Sequence, residues 1–142
     1  MIKIADHGDK LAECFPVMVQ LRPHLTPETF IEKVLMQTVQ NYRIAYNKVN
    51  DKVVAVSGFR FARSLAWGEY LYVDDLITDE HERSKGYGKQ MLSWLINHAK
   101  ENGCQQLHLD SGIQRKHAHR FYEREGMTLA SHHYSLDLSL TT

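Results

Sequence analysis

Arg83-Ser84-Lys85-Gly86-Tyr87-Gly88-Lys89 joins a strand-like run to an amphipathic helical pattern, and its residue types suit the binding of an anion. A loop that opens a helix presents backbone N–H groups without intrahelical acceptors, and the helix dipole adds to their attraction for negative charge. Gly86 and Gly88 lack side chains, so a diphosphate can approach the backbone closely. Arg83 and Lys85 place positive charge nearby. Two nucleotide readings of these glycines fail on their neighbours. A Walker-type phosphate loop needs glycine at position 83 and serine or threonine at 90, where Arg83 and Gln90 stand. A dinucleotide fingerprint needs glycine or alanine at 91, where Met91 stands.

Hydrophobic periodicity supplies the elements that must position this loop. Tyr70 to Thr78 reads as the strand entering it. The helix leaving it runs from about Gly86 to Asn102, with Met91, Leu92, Leu95, Ile96 and Ala99 at helical spacing and Gly103 as terminator. Upstream, Lys3 to Ala5 reads as a short strand and Asp9 to Leu21 as a helix that Pro16 should kink or divide. Thr26-Pro27 opens a second helix with Phe30, Ile31, Val34 and Leu35 on its apolar face. Tyr42 to Val49 and Val53 to Phe61 are strands joined by a turn at Asn50-Asp51-Lys52, and Gly58 marks a bulge or a close backbone approach. Downstream come a strand at Leu107 to Asp110, a helix from Lys116 to Glu125 ended by Gly126, and a closing strand from His133 to Leu138. Consecutive strands imply antiparallel hairpins, and strand–helix–strand after Tyr70 implies a parallel crossover. The expected architecture is α/β (α+β): one domain over residues 1–142, with a mixed, mostly antiparallel central sheet and helices on both faces.

Composition narrows the function classes. With 142 residues, 43% hydrophobic and 24% charged, the chain suits one folded core. No run approaches the roughly 18 apolar residues of a membrane span, and Met1 to Asp6 lacks the pattern of a signal peptide. Seventeen basic residues balance seventeen acidic ones, without the basic excess of a nucleic-acid binder. Cys14 and Cys104 match no zinc or redox spacing and read as reduced thiols of a cytoplasmic protein. His117 and His119 split between helix faces, and His132 and His133 alternate across a strand, so no metal site is expected.

The pattern Arg83-x-x-Gly86-x-Gly88 resembles the pyrophosphate-binding signature of the GCN5-related N-acetyltransferases (GNAT family). The strand before it, Asp75-Leu76-Ile77-Thr78-Asp79-Glu80, resembles the family's motif strand, with Glu80 where proline is frequent. A second segment, Ala118-His119-Arg120-Phe121-Tyr122-Glu123-Arg124-Glu125-Gly126-Met127, resembles the family's Ala-x-x-Phe-Tyr-x-x-x-Gly-Phe run, with Met127 for the usual aromatic. The motifs cover about residues 70 to 127, and the element order covers nearly the whole chain.

The resemblance implies a GNAT-like fold and direct transfer of an acetyl group from acetyl-CoA to a primary amine of a small molecule or a protein. It places the pantetheine beside Leu76, Ile77 and Thr78, and the diphosphate on the amides of Ser84, Lys85, Gly86, Tyr87, Gly88 and Lys89, with Arg83 adjacent. Tyr122 matches the tyrosine near the thioester sulfur that serves as general acid; otherwise it is an ordinary half-buried aromatic. Asp74 matches an acidic position of polyamine-acetylating members and is the candidate base, acting through water; otherwise it is structural or docks the substrate. Asp75 either contacts substrate, stabilises the sheet edge or binds a loop. Adjacent strand residues face opposite sides, so at most one of the two should reach the substrate. A backbone N–H of the motif strand would stabilise the oxyanion. No cysteine sits near a histidine partner, so no covalent acetyl-enzyme is indicated.

The acceptor stays open. Residues 110–122 look like the corresponding stretch of aminoalkylphosphonate N-acetyltransferases, which implies a small amine bearing an anionic group, with Arg115 as its contact. Asp74 and Asp75 point instead to a polyamine or a lysine side chain. The Trp67 loop either borders the acceptor or is a plain hairpin connection, and Trp94 reads as packing. Dimers are common in the family, so a homodimer is compatible with the chain. The rival to an enzyme is a non-catalytic acyl-CoA-binding sensor on the same fold.

Overall fold

Asn50 and Asp51 turn the chain with φ of 51° and 62°, the double left-handed conformation of a type I′ hairpin, and so fix the register of the strands they join. The computed structural model describes residues 1–140 and contains two compact units, Met1–Leu109 and the residues from Asp110 onward. The first unit runs β1 (Ile2–Ala5), α1 (Gly8–Leu21), α2 (Pro27–Gln37), β2 (Tyr42–Val49), β3 (Lys52–Ser64), β4 (Gly68–Thr78), α3 (Tyr87–Glu101) and β5 (Gln106–Leu109). The strands form one sheet in the order β1-β2-β3-β4-β5. The first four are antiparallel, and β5 lies parallel to β4 after the α3 crossover.

Alternation along the strands divides the core in two. Ile44, Tyr46 and Val56 pack against Leu11, Val17 and Met18 of α1 and Phe30 and Val34 of α2. Ala45, Ala55, Phe59, Leu71 and Val73 face the other way, onto Met91, Leu95 and Ala99 of α3. The mixed sheet with helices on both faces is thus as the sequence implies. Each fully buried leucine contributes on the order of 1.5–3 kcal/mol through burial. At the start of α2, Thr26 Oγ1 accepts from the Thr29 amide (3.2 Å) while Thr29 Oγ1 accepts from the Thr26 amide (2.8 Å), a reciprocal cap with Pro27 at the first position.

Three expectations change. Pro16 does not divide α1, which runs unbroken from Gly8 to Leu21; the missing Pro16 N–H is tolerated because Leu11, Cys14, Val17 and Met18 are buried on both sides of it. β3 is longer than expected, because Arg63 and Ser64 continue its pairing with Glu69 and Gly68.

The third change lies in the second unit, which holds α4 (Lys116–Arg124), closed by Gly126 at φ 93°, and a short 3₁₀ turn at Leu138–Leu140. The strand expected at His133 to Leu138 is absent; residues 131–137 are irregular. Its alternating Tyr134, Leu136 and Leu138 are 89%, 73% and 74% exposed, so the period-two pattern has no buried face to serve. No helix among the described residues is long and apolar enough to cross a membrane.

Candidate active site

The register of β4 slips where the chemistry concentrates. Gly58 of β3 pairs with Asp75 and Phe59 pairs with Val73, so Asp74 is an extra residue in β4, a bulge. Regular alternation would send Asp74 and Asp75 to opposite faces, as the sequence suggests. The bulge instead turns both toward α1 and α2, where they line one cleft. Beyond it alternation resumes, with Leu76 against the α3 core and Ile77 against the α1–α2 core.

Each carboxylate arrives with partners. Tyr42 Oη donates to Asp75 Oδ2 at 2.5 Å, and Arg22 Nε donates to Asp75 Oδ1 at 2.9 Å. Arg22 Nη2 lies 2.9 Å from the same oxygen and donates to the Asp74 carbonyl at 3.0 Å, tying the end of α1 to the bulge. Arg60 Nε reaches both oxygens of Asp74 at 3.2 and 3.1 Å, and Arg60 Nη2 donates to Oδ2. Gln37 accepts from Arg60 Nη2 at 2.8 Å and Gln40 from Nη1 at 3.1 Å, and the guanidinium carbon lies 5.1 Å from the Tyr42 ring centroid. Burial, then the Asp75 carboxylate, pushes the Tyr42 phenol far above its ordinary range, and the Asp74 hydrogen bond raises Arg60. Gly58 is required beneath this network. A Cβ there would fall on the Tyr42 hydroxyl and the Asp75 carboxylate, with Tyr42 Cζ at 2.6 Å. Both readings of Gly58, bulge and close approach, hold.

The cleft in front of Asp74 and Asp75 has a volume of about 710 Å³. Met18, Leu25, Phe30 and Val34 form an apolar wall, and Arg22, His24, Lys33, Tyr70 and Tyr72 supply polar groups.

On its other side β4 is open. β5 pairs only with Tyr70–Val73, so Leu76, Ile77 and Thr78 hydrogen-bond to β3 alone within the sheet. The strand then enters a turn fixed by buried Asp79. Its carboxylate accepts from the His81 amide (3.1 Å) and Gln20 Nε2 (3.3 Å) and lies 3.3 Å from Lys52 Nζ. Burial works to raise the Asp79 pKa, and those three donors outweigh it, leaving the carboxyl below its ordinary value. Ser84 (φ 66°) and Gly86 (φ 84°) are both left-handed, and Gly86 caps α3. The first helical bond runs from the Gln90 amide to the Gly86 carbonyl (3.0 Å), so the amides before Gln90 are not consumed within the helix. Arg83 makes no ion pair among the described residues, whereas Lys85 is held by Glu82 at 2.6 Å. The helix start, the left-handed turn and the free guanidinium suit a diphosphate.

Tyr122 lies on α4 in the second unit. Burial pushes its phenol up and Arg115, the residue preceding the helix, pulls it down, with burial dominant. Trp67, in the turn between β3 and β4, stacks on His108 of β5 (centroids 3.5 Å apart) and meets Tyr70 of β4 edge-on. Trp94 stacks on His98 beside Phe59, a packing role. Among the described residues no three His, Cys, Asp or Glu side chains gather as a metal-holding group.

Sequence reasoning missed Arg22, Tyr42 and Arg60. Arg22 and Tyr42 lie 53 and 33 residues from Asp75, beyond any local signal. Arg60 had one: it pairs with Tyr72, making it the same-face diagonal neighbour of Asp74 once the hairpin register is known.

Residues 9–127 match the family described as "Acetyltransferase (GNAT) family", and the chain belongs to that family. It is 37% identical over 127 residues to "Uncharacterized N-acetyltransferase YhdJ" of Bacillus subtilis strain 168, covering 87% of this chain and 89% of that protein. It is 30% identical over 87 residues to the aminoalkylphosphonate N-acetyltransferase of Salmonella typhimurium, covering 61% of this chain and 55% of that enzyme. A crystal structure titled as a transcriptional regulator from Bacillus halodurans C-125 superposes with a TM-score of 0.85 over 97% of this chain and 99% of that one. At 22% identity that likeness carries the fold alone. The chain is an acetyltransferase of the GNAT type.

Proposed function

We propose that the protein transfers an acetyl group from acetyl-CoA directly to a primary amine of a small molecule, and that residues 1–142 work as one N-acetyltransferase domain. The observation that carries this is the course of β4. Released from β5 after Val73, it presents an unpaired edge at Leu76, Ile77 and Thr78 and leads into the left-handed turn before α3. An extended pantetheine can add to such an edge through main-chain hydrogen bonds. Arg83 and the amides of Ser84, Lys85, Gly86, Tyr87, Gly88 and Lys89 would hold the diphosphate. Acetyl-CoA, when bound, supplies the activated acetyl group. The family match crosses the boundary between the two units, which supports one working domain.

Tyr122 is the proposed general acid for the departing thiolate; a phenol is protonated at neutral pH, and burial moves this one further in that direction. Asp74 is the proposed acceptor of the amine's proton, through water. An ionised carboxylate offers about four lone-pair sites, and Arg60 engages three, leaving room on Oδ1. Asp75 contacts substrate only in its paired state with Arg22 and Tyr42, and Arg115 is a proposed substrate contact. A cleft of about 710 Å³ lies within the 300–1,000 Å³ typical of small-molecule sites, which favours a metabolite over a protein acceptor. The unpaired thiols Cys14 and Cys104 are compatible with a cytoplasmic enzyme.

Thiol release from acetyl-CoA in the presence of a panel of primary amines tests the reading. Amine-dependent release that follows saturation kinetics and yields the N-acetyl product supports it. Release at the same rate with and without amines would remove the transferase assignment.

A further inference from the structure

The charges in the cleft decide which amine it suits. Three fixed cations, Arg22, Lys33 and Arg60, face two carboxylates, Asp74 and Asp75, so the fixed charge of the lining is net positive. Both carboxylates are already neutralised within the protein. Arg60 holds Asp74 through both oxygens, and Arg22 with Tyr42 holds Asp75. A polyamine entering here would have to displace a chelating guanidinium to gain a counter-ion, and its remaining ammonium groups would face net positive charge. Lys33, in contrast, is exposed at the cleft and makes no ion pair or side-chain hydrogen bond among the described residues. Its ammonium is the one lining cation without a carboxylate partner among those residues.

We infer that the cleft takes a primary amine carrying an anionic group, phosphonate, phosphate or carboxylate, whose negative end is held by Lys33 while the amine lies toward the Asp74 bulge. The inference rests on the transferase reading above and adds the acceptor class to it. Arg22, which also lines the cleft, is engaged through Nε and Nη2 by Asp75 and the Asp74 carbonyl, so Lys33 is the principal anion contact. The apolar wall of Met18, Phe30 and Val34 suits a hydrocarbon linker between the two ends.

The experiment uses the full chain, wild type and Lys33→Glu, with 2-aminoethylphosphonate, glucosamine 6-phosphate, β-alanine, propylamine and spermidine as probes. Acetylation is followed by product mass, and binding of each probe in the presence of coenzyme A is measured separately by calorimetry. Lys33 is solvent-exposed, so its reversal does not threaten the fold. The expected result is kcat/KM at least about tenfold higher for an anionic probe than for propylamine or spermidine. Lys33→Glu then raises the KM of that probe at least about tenfold, with kcat within about threefold. The three anionic probes show which anion is preferred. Preference for spermidine or propylamine overturns the inference while leaving the transferase reading intact. An anionic preference unmoved by Lys33→Glu but lost in Arg115→Ala overturns the assignment to this cleft. Binding of an anionic probe that weakens in Lys33→Glu, without acetylation of any amine, supports the ligand class and sinks the transferase reading instead. Neither binding nor turnover of any anionic probe overturns the inference.

Discussion

Gly58→Ala is the smallest change that strikes the carboxylate network, adding one methyl group beneath Tyr42 and Asp75. The new Cβ would clash with the Tyr42 hydroxyl and the Asp75 carboxylate and sit 2.6 Å from Tyr42 Cζ. Tyr42 is buried among Ile44, Phe30 and Val34 and cannot swing into solvent without opening the α1–α2 core. Overpacking of this kind costs about 1–3 kcal/mol, and loss of the hydrogen bond between the Tyr42 hydroxyl and a carboxylate costs about 1.5–3 kcal/mol more. Gly58 is not in the left-handed region, so backbone strain adds nothing. The expected destabilisation is therefore about 2.5–6 kcal/mol, read as a lower urea midpoint with unchanged slope. In a Tyr42→Phe background the hydrogen bond is already gone, and the same substitution should cost only about 1–3 kcal/mol. The double-mutant cycle should thus show a coupling of about 1.5–3 kcal/mol. Additivity within about 0.5 kcal/mol, or a Gly58→Ala cost below about 1 kcal/mol, would refute the argument that this glycine exists to admit the Tyr42–Asp75 pair.

Other expectations follow from the same structure. Gly86→Asp forces a side chain into a left-handed position and places negative charge at the start of α3, so acetyl-CoA affinity should fall at least about tenfold. Gly103→Asp, equally left-handed at the far end of α3, should destabilise the fold without that loss of affinity. Tyr122→Phe should lower kcat about a hundredfold or more with coenzyme affinity retained, and the wild-type alkaline limb should lie above the ordinary phenol value near 10. Asp79 has a depressed carboxyl pKa in the folded chain, so its stabilising contribution is complete above the ordinary aspartate value, roughly 4, and is lost as pH falls through the lower folded value. Asp79→Asn should therefore reduce stability at pH 7 and flatten its acid dependence below about pH 4, as followed by urea midpoints across that range.

What could be read from the sequence was what local chemistry decides. Asn50-Asp51 announces its turn, Thr26-Pro27 its helix start, and Gly86 its place before α3, because each acts on its own few backbone dihedrals. The bulge at Asp74 was hidden, since it exists only in the pairing of β4 with β3. Its consequence, two adjacent aspartates on one face, reversed an inference that regular alternation made sound. The partners of those aspartates were hidden for the same reason: Arg22 reaches the site from the end of α1, across 53 residues. The segment from His133 to Leu138 shows the opposite failure. Its period-two pattern is genuine, but a strand needs a ladder partner and a buried face, and this segment has an exposed one.

The central claim, that β4 and the loop before α3 form a coenzyme cradle, is tested most directly by calorimetric titration of the purified protein with acetyl-CoA, with ATP and NAD as controls. The structure predicts saturable 1:1 binding of acetyl-CoA, weakened in Gly86→Asp, and no comparable binding of either nucleotide. A folded protein that binds no acetyl-CoA, or that binds ATP or NAD equally well, would contradict it.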